Sequence, residues 1–400
     1  MIKSHYMKIA IVGAGAAGLV AAIKIKSANP EFEVFLFDRL DSVAKKIKAT
    51  GNGKCNIGNI DKAYDGYSHP AFVKAILDEY AQQEVLSSLG LPTKLLTSEG
   101  LYPVSESANN VAVILEKNAI GCGVKIVLNT CLLDYYLVED QIELHFDKYD
   151  VTFDRVLFCV GGKSNPNLGS DGSLFDVFKK HGYIIVEPKP GLCPIKVKED
   201  VRGLFGQRLH AVVNLFLDGK LAKEEYGEVM FKKDGLSGIV IMNISSLIAR
   251  SRAREAKIYL SILDGDQHII TVKDIFEMSK KAANPLLAYA TSEVAAYIYR
   301  LANVDAAKSL SYEDCQKIAK VAASIPFTFA ELYDYEFSQV TVGGVGLDDI
   351  NDDLSSKREK NVYFLGEVLD IDGPCGGYNL RWAIGSALRA SKSIHENTAE

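Results

Sequence analysis

Read for apolar and polar spacing, the chain opens with a compact run of alternating elements. Ile9-Ala10-Ile11-Val12 is a short apolar run that predicts a buried strand. Gly13-Ala14-Gly15-Ala16-Ala17-Gly18 follows, then an alanine-rich helical stretch. A second apolar run, Val34-Phe35-Leu36-Phe37, ends on Asp38. Further on, Phe72 to Gly90 has helical period with a glycine at its end, and Asn110 to Gly121 reads as another helix. Val124 to Leu128 predicts a strand continuing through Leu132 and Leu133 toward Tyr136, with Ile142 to Phe146 as its hairpin partner. Arg155 to Val160 is a buried strand running into Gly161-Gly162, and Phe175 to His181 a helix. This order predicts an α/β domain with a parallel sheet.

The texture then changes. From about Tyr183 to Asp264, short β-branched and aromatic runs are divided by Gly, Asp and Lys. Asp218-Gly219 marks a hairpin between Ala211–Leu217 and Gly227–Phe231. From about Val272 to Ser324 the period is helical. There Ser311-Tyr312-Glu313-Asp314 reads as a capping box, and Cys315, Ile318, Ala319 and Ala322 follow on one face. The α/β texture returns with the strand Val362–Leu365, a glycine-rich loop, and a helix from Ala383 to His395. The first domain is therefore expected to be discontinuous, in residues 1–184 and 336–400. It closes around a β-rich insertion, 185–266, and a small helical domain, 267–335.

Bulk properties narrow the classes. A chain of 400 residues exceeds one ordinary core. A net charge of −6 argues against a nucleic-acid coat, and no apolar run is long enough to span a bilayer. The first six residues are short and polar and read as a ragged extension rather than a signal peptide. Seven cysteines without a CxxC pair fit a reducing cytoplasm better than a disulfide framework or a zinc site. The partner implied is a small-molecule substrate, with neither membrane nor nucleic acid; the oligomeric state is open.

The chemistry sits in the glycines. Strand, glycine turn, helix, strand and acid in register make a dinucleotide cradle. Gly13 permits the tight turn, Gly15 admits a pyrophosphate, Gly18 lets helix and strand approach, and Asp38 stands where ribose hydroxyls bind. The helix N-terminus adds N–H groups and a positive dipole end. More glycine loops follow: Thr50-Gly51-Asn52-Gly53-Lys54-Cys55-Asn56, Gly161-Gly162-Lys163-Ser164, Gly366-Glu367, and Gly373 to Leu380. Several strand-end loops converging on one ligand suit a long, extended cofactor, and FAD is such a cofactor. Gly366-Glu367 is expected at the ribityl chain. Tyr378-Asn379-Leu380 would present helix N-terminal N–H groups to the pyrimidine side of the flavin.

Four motifs occur in sequence order: Gly51-Asn52-Gly53-Lys54-Cys55-Asn56, Gly235-Leu236-Ser237-Gly238, Thr341-Val342-Gly343-Gly344-Val345 and Gly376-Gly377-Tyr378-Asn379-Leu380. Over nearly its whole length the chain resembles the bacterial three-domain flavoproteins that include aminoacetone oxidase and the BaiN-type bile-acid reductases. That resemblance implies a Rossmann-like FAD-binding domain, an inserted β-barrel-like domain, a small helical domain, bound FAD and a redox activity. Two positions depart from the family pattern. Lys54 stands where arginine is frequent, and Asp38 where glutamate is frequent. The expected cofactor residues are Gly13, Ala14, Gly15, Ala16, Ala17, Gly18, Asp38, Arg39, Lys45, Lys46, Asn52, Gly53, Cys55, Asn56, Leu132, Gly161, Gly162, Gly366, Glu367, Gly377, Tyr378, Asn379 and Leu380.

No metal-ligand spacing and no Ser-His-Asp pattern are present. Lys45 and Lys46 could neutralise phosphate, whereas Lys48 reads as part of a solvated face. Tyr378 and Cys55 are weak catalytic candidates. A packing role is at least as good a reading for Tyr378, and a better one for Cys55 and Cys375 than a redox pair. His69, His181 and His210 read as structural or surface groups. Gly343-Gly344-Val345-Gly346 lacks a following ribose acid, so no dedicated nicotinamide domain is visible. The activity expected is hydride transfer between flavin N5 and a small organic substrate, by amine oxidation or C=C reduction. NADH, NADPH or oxygen would be the co-substrate. The alternatives are an FAD protein of RNA modification and a non-catalytic flavin-binding partner.

Overall fold

The computed structural model describes residues 6–61, 64–264, 269–282 and 284–399. Residues 1–5 of the expected N-terminal extension, and the expected boundary at 266/267, lie outside the described residues. The chain divides into two compact units, residues 1–189 with 340–400, and residues 190–339.

The first unit is built on a five-stranded parallel sheet. Its order is Val362–Phe364, Arg155–Phe158, Lys8–Val12, Glu33–Phe37 and Lys125–Val127. The opening pattern is realised residue for residue: Ile9, Ala10 and Ile11 are fully buried, and Lys8–Val12 pairs in register with Glu33–Phe37. Such a central strand reads as a continuous apolar run because both faces of the sheet are covered, by helices and by an antiparallel sheet whose Phe146 and Phe153 pack on Phe37. The helix Ala16–Ala28 packs against the C-terminal helix Tyr378–Ala399 and against Ala108–Cys122. Ser107 caps Ala108–Cys122 by accepting from the Asn110 N–H, and Gly123, with φ +96°, ends it.

Three local expectations are corrected here. The helix read over Phe72–Gly90 is two, Pro70–Leu77 and Gln82–Ser88. Tyr64 and Lys74 both bond the Asp78 carboxylate just where the first one ends. The strand read from Val124 to Tyr136 is also two. Asn129 turns left-handed (φ +53°), Thr130 N–H donates to Asp38 O at 3.0 Å, and the chain leaves the parallel sheet. It re-enters as Leu132–Val138 in a three-stranded antiparallel sheet, paired with Gln141–Phe146 as expected. The last helix starts at Tyr378, five residues before Ala383, because Gly377 (φ +90°) sets its N-terminus.

The second unit is a closed six-stranded antiparallel barrel. Its order is Ile195–Val197, Gly235–Ser237, Lys220–Phe231, Arg208–Leu217, Ala256–Ser261 and Ile325–Leu332, which pairs back to the first. The hairpin turns at Asp218 and Gly219, both at positive φ. Closure leaves the barrel without exposed edges. The helices Val272–Ser279, Ser292–Ala302 and Tyr312–Ala322 bury Ile275, Ile298, Cys315 and Ile318 in the same core as the barrel's Ile258 and Phe327. The capping box at Ser311 and Asp314 is formed. Among the described residues, no helix is long and apolar enough to cross a membrane.

Candidate functional site

The strand ends of the parallel sheet carry the glycine loops, and each glycine has a separate steric reason. Gly13 has φ +105°, and a Cβ there would lie 2.4 Å from Cys159 O. A Cβ on Gly18 would lie 1.9 Å from Gly13 O. Gly15 is different: its φ of −82° suits any residue, and a Cβ there meets nothing within 4 Å. Two glycines are thus required by the fold itself, while the third keeps open the space before the helix N-terminus. That is the space a pyrophosphate needs.

Asp38 closes this turn from the second strand. Its carboxylate accepts from Ala14 N–H at 2.7 Å and Leu40 N–H at 2.9 Å. Burial raises its pKa, while these two bonds and the nearby Arg39 and Lys45 oppose the rise. Ala16 is half-buried and Ala17 buried, and Ala17 Cβ lies 3.3 Å from where a Gly366 Cβ would stand. Leu132 is buried in the antiparallel sheet, two residues after Thr130 leaves Asp38. Two of the expected phosphate-side cations have partners of their own: Arg39 pairs with Asp171 at 2.5 Å and Lys45 with Asp41 at 2.7 Å.

A second cluster joins loops that are far apart in sequence. Lys46 Nζ donates to Glu367 Oε2 at 2.8 Å and to Ser164 Oγ at 2.6 Å. Ser164 Oγ and Thr341 N–H both donate to Glu367 Oε1 at 2.8 Å. Thr341 Oγ1 accepts from the N–H groups of Lys163 and Ser164. Gly162 fits beneath because a Cβ there would lie 2.2 Å from Thr341 Oγ1. The Glu367 carboxylate therefore ties the 161–164, 341 and 366 loops to Lys46. Ser164 and Thr341 were not among the site residues expected from sequence, although both lie in motifs it singled out, Gly161–Ser164 and Thr341–Val345. Glu367→Ala leaves three donors short of an acceptor, one of them charged, and should cost about 2–4 kcal/mol. A lower urea midpoint at unchanged slope checks it.

The third cluster joins the 51–59 loop to the last helix. Gly51, Asn52, Gly53 and Cys55 all have positive φ, between +51° and +85°. Asn52 and Gly53 are exposed, whereas Cys55 is fully buried. Burial pushes the Cys55 thiol up to about 11, so it is a neutral thiol at ordinary pH and a poor nucleophile. Neither Cys55 nor Cys375 is in a disulfide. A Cβ on Gly377 would lie 2.3 Å from Gly58 O and 2.6 Å from Asn56 Oδ1. That same Asn56 Oδ1 is buried with no hydrogen-bond partner. A buried acceptor left without a donor is costly in a folded chain. It fits a ligand that supplies the donor, such as a flavin ring edge. Asn379 clamps its own loop: its side chain accepts from Gly373 N–H and donates to Gly373 O, both at 2.9 Å. Leu380 lines a small apolar cavity with Ala16, Val20, Ile47 and Ile384. The Gly343 loop is held by close backbone packing, a Cβ on Gly343 reaching Glu187 O at 2.5 Å.

The family described as HI0933-like protein Rossmann domain matches residues 7–393. The chain belongs to the HI0933-like family. Membership agrees with the resemblance carried by the four motifs, and it places the chain among FAD-dependent oxidoreductases. One similar protein is the 3-dehydro-bile acid delta(4,6)-reductase of Clostridium scindens, 29% identical over 418 residues, covering 97% of this chain and 99% of the relative. Another is the ribosomal RNA dihydrouridine synthase of Haemophilus influenzae, 24% identical over 412 residues, covering 98% and 99%. Among solved structures, quinol-fumarate reductase with menaquinol shares the fold, with a TM-score of 0.53 at 15% identity, over 99% of this chain and 72% of that one.

Proposed function

We propose that this HI0933-like oxidoreductase reduces a carbon–carbon double bond conjugated to a carbonyl, using NADH or NADPH as the source of electrons. The single observation that carries the reading is what the two relatives described above have in common. Both align over nearly the whole chain, and both are named for adding hydrogen across such a bond, one in a steroid acid and one in uridine. Amine oxidation, the other expectation from the sequence, has no counterpart in those names.

FAD bound in this site supplies a hydride acceptor and donor at N5. The chain's own residues hold and orient it. The open space at Gly15 and the first turn of Ala16–Ala28 receive the pyrophosphate, and Asp38 the ribose. Asn56 and the first turn of Tyr378–Ala399 would hold the ring edge, where helix N–H groups would favour the negative charge that reduction brings. The Lys46–Glu367–Ser164 cluster fixes the loops between these ends.

The test is anaerobic stopped flow. NADH or NADPH should bleach the yellow enzyme, and a steroid enone acid should restore the colour while losing its double bond. Reduction by amines, with no recolouring by enones, would overturn the reading. Recolouring by uridine-containing ribosomal RNA alone would favour the second named substrate, against which the net charge of −6 argues.

A further inference from the structure

Adding hydrogen across a polarised double bond needs a proton as well as a hydride. Two carboxylates, one of them exposed, meet a buried phenol in the C-terminal glycine loop. Tyr378, the first residue of the last helix, is buried, and its hydroxyl donates to Asp61 Oδ2 at 3.0 Å. Glu99 Oε2 lies 3.4 Å from the same hydroxyl, and Glu99 is exposed. A phenol has one proton to donate.

The ring is held in place from several sides. Tyr67 packs edge-on at 5.6 Å and donates its hydroxyl to Tyr378 O at 2.8 Å. A Cβ on Gly373 would lie 2.9 Å from Tyr378 Cβ. Asp61 N–H donates to Asn59 Oδ1 at 2.7 Å, and Asn59 Nδ2 donates to Gly376 O at 3.0 Å. Arg381 donates to the Asp61 main-chain carbonyl and to Tyr64 OH, which ties the Asp61 backbone to the last helix. Burial first, and then the bond to Asp61, pushes the Tyr378 hydroxyl well above its ordinary pKa, so it holds its proton until an acceptor appears.

We infer that Tyr378 is the proton donor of the reaction, and that Glu99 and Asp61 are positioning residues that recharge it from water. This rests on the double-bond-reductase reading above. In the step, the substrate β-carbon accepts the hydride, whose electron pair came from NAD(P)H. The α-carbon then takes the proton from Tyr378 Oη, breaking O–H and forming C–H. Glu99 or Asp61 returns a proton to the phenolate and recovers one from solvent. Neither signal stood out in the sequence, because Asp61 and Glu99 lie in unpatterned loops.

The test separates the two half-reactions in the holoenzyme. In Tyr378→Phe, flavin content and the rate of anaerobic bleaching by NADPH are measured first, as the reference against which recolouring is read. Recolouring by the steroid enone acid should slow by about 10²–10⁴-fold and lose its solvent isotope effect. In Glu99→Gln the recolouring step should slow less and be partly restored by added imidazole. A second readout needs no turnover. In apoprotein carrying ring-fluorinated tyrosine, the resonance missing from Tyr378→Phe should move in Glu99→Gln. Wild-type recolouring in Tyr378→Phe, or a fixed resonance, overturns the relay while leaving the reductase reading intact. If wild-type enzyme neither bleaches with NAD(P)H nor recolours with enone, both fall together.

Discussion

Gly15→Val is expected to yield a folded, colourless protein. Nothing stands within 4 Å of a Cβ at Gly15, and its backbone is in a region open to every residue. The apoprotein therefore has no reason to distort. The isopropyl group instead fills the space in front of the helix N-terminus, where a pyrophosphate would accept N–H hydrogen bonds and meet the positive end of the dipole. Losing that contact should weaken flavin affinity by at least about 100-fold, equivalent to roughly 3 kcal/mol of binding, and leave the purified variant largely without flavin. Flavin absorbance of the purified variant, beside its far-ultraviolet circular dichroism, measures both halves. A yellow variant with full occupancy would remove Gly15 from the cofactor site.

Gly18→Ala should behave in the opposite way, three residues further on. Its Cβ would lie 1.9 Å from Gly13 O and 3.1 Å from Gly13 C, both backbone atoms of a turn that cannot move aside. The strand Lys8–Val12 and the helix Ala16–Ala28 would have to separate at the centre of the parallel sheet. The expected cost is about 3 kcal/mol or more, seen as a Tm lower by the order of 10 °C in apoprotein and holoenzyme alike. A variant melting with the wild type would show that helix and strand have slack the structure denies. The pair of substitutions thus separates a glycine kept for the fold from one kept for the ligand.

Much of this could be read in advance, because local chemistry decides it. The unit from Lys8 to Asp38, the Asp218-Gly219 hairpin and the Ser311–Asp314 cap depend on turn residues, caps and period within a few positions. The glycine loops were visible for the same reason, since positive φ at Gly13, Gly161, Gly366 and Gly377 leaves glycine as the ready choice. What escaped depends on partners distant in the chain. The helix break after Leu77 coincides with the bonds of Tyr64 and Lys74 to Asp78, and no Gly or Pro marks it. The strand break after Val127 is carried by one left-handed asparagine, Asn129.

The site shows the same division. Glu367 was read as facing the ribityl chain, whereas its two oxygens are bonded by Lys46, Ser164 and the Thr341 N–H. Asn379 was read as presenting its helix N-terminal N–H to the flavin, and its side chain, on which that reading was silent, bonds Gly373 through both amide atoms. Both residues belong to the glycine loops the sequence singled out, but sequence spacing cannot tell a group that meets a ligand from one that holds the loop. Asn56 was among the expected cofactor residues through the Gly51–Asn56 motif, but that its side-chain oxygen is buried without a partner depends on the fold.

The central claim is that loops from residues 13–18, 51–56, 161–164, 366–367 and 376–380 gather about one extended FAD. The most direct measurement is a crystal structure of the holoenzyme. It should show the pyrophosphate against Gly15 and the first turn of Ala16–Ala28, and a ring-edge hydrogen bond to Asn56 Oδ1. FAD density elsewhere on the chain, or Asn56 satisfied by the protein alone with the ring distant from Gly377, would contradict the account.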